Sequence, residues 1–412
     1  MDIEKVIIIA VNTEQTMSER FVYSVEELKS LTKTADGEVM HLITQNRKSP
    51  HRATYVGEGK LEEIKELCET DEIDVVIIND ELSGSQIRNI TEILDVKVID
   101  RSQLILDIFA SRARTKEGKL QVELAQYAYM LPRLHGQGAN LSRLGGGIGT
   151  RGPGETKLET DRRHIQKRMD ELKARLDVVV NQREQYRLNR KRNKLFQIAI
   201  VGYTNAGKST LFNKLTSSDS LQEDKLFATL DPLTRKMRLK SGLNVAITDT
   251  VGFIQDLPTA LIAAFRSTLE EVKEADLILH VIDVNAPDKE DHEKTVLQLL
   301  EELDANEIPL ITIYNKKDLI NEENFVANSQ PSLLVSAFEE KDLDKIKVSI
   351  EERIQDIWLP YSIFVEENNG NLLSRLQNVT LVTKEEYVEE AFSYKVQGFV
   401  NKNHPIMKEI KE

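Results

Sequence analysis

Eight consecutive residues carry the most specific chemistry in the chain: Gly202-Tyr203-Thr204-Asn205-Ala206-Gly207-Lys208-Ser209, followed by Thr210. Two glycines bracket four residues, and a lysine and a hydroxyl come next. The apolar run Phe196 to Val201 precedes them, and Leu211, Phe212 and Leu215 follow at helical spacing. A strand, a glycine-rich turn and a helix in that order make a phosphate cradle. Glycine backbone lets N–H groups curl round an anion, with a helix N-terminus behind it. Lys208 supplies positive charge to the β- and γ-phosphates, and Ser209 offers a hydroxyl to Mg2+.

Three further segments point to the same ligand. Ile247 to Asp249 ends a strand and opens Asp249-Thr250-Val251-Gly252. Asp249 is placed to hold the Mg2+ shell through water, and Gly252 to offer its N–H to the γ-phosphate. Pro309 to Tyr314 is a strand running into Asn315-Lys316-Lys317-Asp318. A carboxylate there accepts both guanine N1–H and the 2-amino group, a pattern adenine lacks, while the Lys316 stem covers the base. Leu333 to Val335 leads into Ser336-Ala337-Phe338, whose backbone reaches guanine O6. Four ordered motifs at strand ends predict a GTP site. Between the first and second lies a candidate switch, Phe227-Ala228-Thr229-Leu230-Asp231. Thr229 is the expected second hydroxyl on Mg2+, made only when the γ-phosphate is present, and Thr234 is its rival. The metal set is therefore Ser209, Thr229 and Asp249.

These strands imply an α/β fold, with a P-loop domain over 196–358. Residues 1–112 read as a separate N-terminal α/β domain, with strands near Val6–Val11, Val39–Ile43, Val75–Ile78 and Val96–Ile99. Helices are expected over Lys60–Glu69 and from a Ser83 cap to Leu94. Residues 113–195 read as a helical hairpin. Its first helix, 117–133, carries Leu120, Leu124, Tyr127 and Leu131 three and four apart. Its second, nearly forty residues long, carries Leu158, Ile165, Met169, Leu172, Leu176 and Val179 as a heptad seam. The tip loop 136–154 is rich in glycine and too poor in apolar residues to pack a core. Residues 359–412 read as a small α+β tail domain, with strands at Tyr361–Val365, Val379–Val382 and Tyr394–Val400.

The chain has 412 residues and a formal charge of −13. That balance argues against nucleic acid, but it is uneven. Residues 101–194 hold 21 Lys/Arg against 10 Asp/Glu, a net of +11, leaving −24 for the rest. A basic block in an acidic protein suggests an anionic partner for the hairpin, including Arg143 and Arg151 at its tip. The other reading is a solvated helix face. No apolar run is long enough for a membrane span. The start of the chain lacks a signal peptide pattern, so a cytoplasmic, monomeric protein is expected. One cysteine, Cys68, excludes an internal disulfide framework and a cysteine metal cluster. His135 and His164 stand isolated, and His280 in LILHVID reads as a packed strand residue.

The segments GYTNAGKST at 202–210, FATLD at 227–231, DTVGFI at 249–254, NKKD at 315–318 and GGGIGTRGPGETKLE at 145–159 resemble the HflX family of ribosome-associated GTPases. The similarity spans essentially the whole chain. It implies a GTPase that binds the large (50S) ribosomal subunit near the peptidyl transferase region and splits 70S ribosomes under stress. On that reading the basic hairpin, 136–194, meets ribosomal RNA, where Lys/Arg contacts give salt-dependent affinity. It also implies an N-terminal domain in which some members bind ATP, although no motif in 1–112 carries that. Many GTPases place a water-orienting glutamine directly after the DxxG glycine; here Phe253 stands there. Turnover should then be slow alone and stimulated by ribosomes, with Lys208, Thr229, Gly252 and Asn205 as the catalytic set. Asn205 matches the asparagine of potassium-stimulated relatives, so K+ is a second expected cation. A large-subunit assembly GTPase and a GTP-regulated protein scaffold remain the alternatives at this stage.

Overall fold

The computed structural model describes residues 3–13, 19–134, 153–192, 195–216, 232–253, 272–321 and 325–411. The chain divides into two compact units that meet in sequence between Gln182 and Arg183.

The first unit begins with β1 (Glu4–Asn12), α1 (Glu19–Thr34), β2 (Gly37–Asn46), α2 (Glu58–Thr70) and β3 (Val75–Ile78). It continues with α3 (Gly84–Leu94), β4 (Lys97–Asp100), α4 (Arg101–Arg112), α5 (Lys116–Arg133) and the start of α6 (Pro153–Arg192). The strands form one parallel sheet in the order β2-β1-β3-β4. VIII in β1 and VVII in β3 are buried throughout, as strands covered on both faces must be. Ser83 caps α3 in a reciprocal capping box with Gln86, which sets that boundary where the sequence placed it. Cys68 is buried in the core of this unit beside Ile64 and Ile73, and burial raises its thiol pKa.

The hairpin helices differ from expectation in one respect. In α5 the buried apolar side chains are Leu120, Val122, Ala125 and Tyr129, while Leu124, Tyr127 and Leu131 are only half-buried. The reason is packing: α5 lies mainly against α4 and also against α3, so its inner face belongs to the α/β unit. In α6 the described part of the heptad seam, from Ile165 to Val179, faces inward, and the Leu158 side chain lies outside the described residues. Met169 and Leu172 are buried, and Ile165, Leu176 and Val179 are half-buried. Arg168 of α6 pairs with Glu123 of α5 at 2.8 Å.

The second unit opens with β5 (Phe196–Gly202), α7 (Lys208–Leu215), β6 (Leu233–Arg238), β7 (Asn244–Asp249) and β8 (Leu277–Asp283). Next come α8 (Lys289–Glu302), β9 (Leu310–Asn315), β10 (Ser332–Leu334) and α9 (Glu340–Ile357). The six strands run β10-β9-β8-β5-β7-β6, parallel except for β6. Period-two alternation sorts β5 between two cores: Ile198 and Ile200 face one, Ala199 and Val201 the other.

The chain ends in β11 (Leu359–Glu366), α10 (Gly370–Val379), β12 (Leu381–Val388), β13 (Ser393–Val400) and α11 (Met407–Lys411). These strands form an antiparallel sheet, β11-β13-β12. Val379, expected in a strand, closes α10 instead. The strand proper starts at Leu381, and its later residues, from Thr383 to Tyr387, are exposed, so no buried apolar run marks it in the sequence. Pro360 sits inside edge strand β11, where a missing N–H is tolerated. Trp358 and Leu381 join the main core of this unit, and Phe196 meets the Trp358 ring edge-on at 5.8 Å.

Candidate nucleotide site

The turn from β5 to α7 is built by glycine for steric reasons. Gly202 has φ +153°, and a Cβ there would lie 2.1 Å from the Val281 carbonyl oxygen. Gly207 has φ +90°, and a Cβ would lie 2.2 Å from Asn315 Nδ2. Between them Asn205 adopts φ +60° and is exposed, while Ala206 is buried. Lys208 is buried at the first position of α7, and its Nζ donates to the Tyr203 carbonyl at 2.6 Å. Desolvation lowers its pKa to about 8, opposed by the Asp249 carboxylate. Ser209 Oγ donates to Asp249 Oδ2 at 2.8 Å, and Thr210 follows on the same half-buried turn.

The segment after β7 closes on this loop. A Cβ on Gly252 would fall 3.0 Å from Lys208 Nζ and 2.9 Å from Thr204 Cγ2, so a larger residue would have to push those side chains aside. Thr250 donates its hydroxyl to the Ile200 carbonyl at 2.6 Å, a structural use, and Val251 is buried. Phe253 pairs with the P-loop as a strand would. Its N–H donates to Gly202 O at 3.2 Å, and its carbonyl accepts from Thr204 N–H at 2.7 Å. The Phe253 ring is buried in the core formed by Ala199, Val201, Val272, Ile278 and Val296.

At the other end, Asn315 joins three motifs. Its Nδ2 donates to Ala206 O at 3.0 Å, and its Oδ1 accepts from Ala337 N–H at 3.1 Å. Lys316, at φ +65°, pairs with Asp283 at 2.7 Å. Lys317 pairs with Asp342 at 2.6 Å and Glu339 at 2.9 Å; hydrogen bonding to Asp342 raises its pKa well above the ordinary lysine range. Ser336 Oγ donates to Asp318 Oδ1 at 2.6 Å. Phe338 is exposed beside this group.

The structure therefore brings together Gly202 to Thr210, Asp249 to Gly252, Asn315 to Asp318 and Ser336 to Phe338. Phe227, Ala228, Thr229, Leu230 and Asp231 lie outside the described residues, as do Arg143, Arg151 and the rest of 136–152. Thr234, the rival to Thr229, lies within β6, where its hydroxyl hydrogen-bonds that of Thr248 at 2.9 Å. His292, Asp283 and Asp342 stand at the site without having been singled out from the sequence. Tyr203 stacks face to face on His292 of α8 at 3.7 Å. Burial lowers the His292 pKa to about 4, against the pull of Asp283 and Asp291. His280 is a packed strand residue as expected, but its pKa falls to about 3 through burial and then through the charge of Lys208. Asp283 and Asp342 carried a weak signal only: an acid at the end of an apolar strand, and an acid six residues after Ser336.

A parallel sheet with a glycine cradle, a hydroxyl–carboxylate pair and a guanine-type Asn-Lys-Lys-Asp turn at adjoining strand ends defines a P-loop GTPase. Residues 22–110, 112–190 and 197–316 match, in turn, the families described as GTP-binding GTPase N-terminal, GTP-binding GTPase Middle Region and 50S ribosome-binding GTPase. The "GTPase HflX" of Alkalihalophilus pseudofirmus is 52% identical over 100% of this chain and 97% of its own length. That of Escherichia coli K12 is 41% identical over 90% of this chain and 88% of its own. The chain belongs to the GTPase HflX family. A crystal structure of the protein SsGBP with GDP is similar as well, at 26% identity and a TM-score of 0.51, covering 85% of this chain and 98% of that one.

Proposed function

We propose that this GTPase is a Mg2+-dependent switch that binds the large (50S) ribosomal subunit and splits 70S ribosomes for recycling or rescue under stress. Asn315 carries the nucleotide part of the reading. One buried side chain ties the phosphate loop, the Asn-Lys-Lys-Asp turn and the Ser336–Ala337 loop, so phosphate and guanine recognition form one site. In it the backbone of Gly202 to Ser209 wraps the phosphates, Lys208 holds the β- and γ-phosphates, and Asp318 reads guanine.

The metal fits the donors. Ser209 and Asp249 are hard oxygen ligands held 2.8 Å apart beside Lys208. No group of three or more His, Cys, Asp or Glu among the described residues could hold a metal alone. A site with one hydroxyl and one carboxylate suits Mg2+, which completes its shell with water and substrate phosphates. Held by Ser209 and Asp249, Mg2+ would supply positive charge to the phosphates. Thr229 is the proposed third protein donor.

Phe253 has its ring in the core and cannot orient water, so turnover is slow until a partner reorders the switch. Gly252 N–H meets the γ-phosphate. Asn205, exposed at the loop tip, is the proposed K+ ligand, and unequal hydrolysis rates in KCl and NaCl would test it.

The ribosomal part rests on the 50S ribosome-binding family matched by 197–316 and on the charge of +11 over 101–194. We infer a four-part division, 1–112, 113–195, 196–358 and 359–412, in a cytoplasmic monomer, with 136–194 meeting ribosomal RNA. No helix among the described residues is long and apolar enough to cross a membrane. The decisive experiment adds the protein to 70S ribosomes on sucrose gradients with GTP, GDP or a non-hydrolysable analogue. Loss of the 70S peak with the triphosphates supports splitting. Intact 70S, with precursor subunits accumulating on depletion, would assign it to assembly instead.

A further inference from the structure

The guanine end of the site contains a buried charge that none of the recognition motifs requires. Asp342 lies in the first turn of α9 and is fully buried. Burial alone would raise its pKa, yet hydrogen bonds from Lys317, Lys345 and a backbone N–H outweigh that and hold it below the usual carboxylate range. Its Oδ2 accepts from Lys317 Nζ at 2.6 Å and from Ser336 N–H at 2.9 Å, and its Oδ1 from Lys345 Nζ at 2.7 Å. Lys317 is nearly buried too, and its own N–H donates to Val335 O at 3.0 Å. A fully satisfied network of this kind fixes geometry, whereas breaking one partner strands a buried charge.

The network leads to the base-reading carboxylate. Ser336, held through its backbone by Asp342, turns its hydroxyl to Asp318 Oδ1 at 2.6 Å. Phe338 N–H closes the turn on Ser336 Oγ at 3.4 Å. Asp318 stands on a single 3-10 turn, Lys317–Leu319, that has no buried residues, so packing does not fix the plane of its carboxylate. Two hydrogen bonds to guanine N1–H and the 2-amino group need that plane fixed. We propose that Asp342, clamped by Lys317, is a positioning residue for guanine selectivity: it holds Ser336 so that the serine hydroxyl sets the edge that Asp318 presents to the base. The proposal rests on the nucleotide site described above and extends it to the charges packed behind the base-reading carboxylate.

The test compares GDP with inosine diphosphate, which lacks the 2-amino group, by competition against a fluorescent GDP analogue on the full chain. Asp342→Asn and Lys317→Gln should each lower the GDP-over-IDP preference by about tenfold, the loss expected from one misaligned hydrogen bond to a charged group. Most of the loss should appear as faster GDP release. The double variant should be little worse than either single one, because both break the same link. Lys317→Arg, which keeps the charge and donors, should restore most of the preference. A variant that merely lowers the folded fraction scales both nucleotides alike and leaves the ratio unchanged. An unchanged ratio in Lys317→Gln and Asp342→Asn, with Asp318→Asn abolishing it, overturns the positioning role alone. An unchanged ratio in Asp318→Asn removes the guanine reading, and the positioning role with it.

Discussion

The parallel sheet β2-β1-β3-β4 and the mostly parallel six-stranded sheet of the second unit end in polar residues of similar kinds and use them in opposite ways. In the first, the C-terminal edge is closed by side chains. Arg101 pairs with Glu27 and also donates to Asn79 Oδ1 at 3.3 Å and Ser24 O at 3.2 Å. Tyr55 donates to Asp80 and accepts from Val11 N–H at 2.9 Å. Asp100 caps α4 through Gln103 N–H at 2.8 Å and takes Leu82 N–H at 2.9 Å. In the second, the same edge carries a turn of glycine backbone, with Lys208, Ser209 and Asp249 gathered beside it. Ligands of open α/β sheets bind beyond strand C-termini. The two edges differ in whether side chains or bare backbone N–H groups occupy that space, and only the second suits a phosphate ligand.

The contrast breaks most sharply on exchanging roles. Lys208→Ala should cut GTP hydrolysis by about two to three orders of magnitude, as removal of one preorganised cationic donor does. Its thermal unfolding should stay close to wild type, since the change also relieves a buried charge. Arg101→Met should do the reverse. Stranding Glu27 costs about 3–5 kcal/mol of stability, while GTP affinity of the remaining folded protein is unchanged. Steady-state turnover and calorimetry on both variants check this, and an Arg101 variant with selectively weakened GTP binding would erase the distinction drawn above. Asn315→Ala should weaken GDP binding by about tenfold, a smaller effect because it removes the tie between motifs and not a phosphate contact.

A pH dependence sharpens the same comparison. His280 and His292, both in the second unit, are held at about 3 and about 4. In the unfolded chain histidine titrates near ~6.5. Between those values the unfolded state binds more protons, so stability is full above ~6.5 and declines as pH falls toward 4. Replacing His292 by phenylalanine keeps the stack on Tyr203 and should flatten the slope of unfolding free energy against pH. The smallest expected effect concerns Lys208. With its pKa near 8 in this structure and higher beside phosphate, GDP binding should take up protons above pH 8 and weaken there. Titration calorimetry in buffers of different ionisation heat reads that uptake directly; equal heats across buffers would deny it.

Much of this protein is local and so legible in order along the chain. Gly202 to Ser209 needs only its own sequence to make a strand, a tight turn and a helix start, and the four-residue strand Val75–Ile78 needs only its apolar run. The capping box at Ser83 is equally local. The partners of those motifs are not. Asn315 meets Ala206 across 109 residues because β8 lies between β9 and β5, an order that no single segment specifies. Tyr203 finds His292, Lys317 finds Asp342, and α5 turns its deep face to α4 for the same reason. The sequence by itself singled out the groups proposed to bind phosphate and guanine, since their spacing within one turn suits that chemistry. Only the tertiary structure decided which side chains hold those groups still, because hydrogen bonds and buried charges between distant residues exist only once the sheet has set their neighbours.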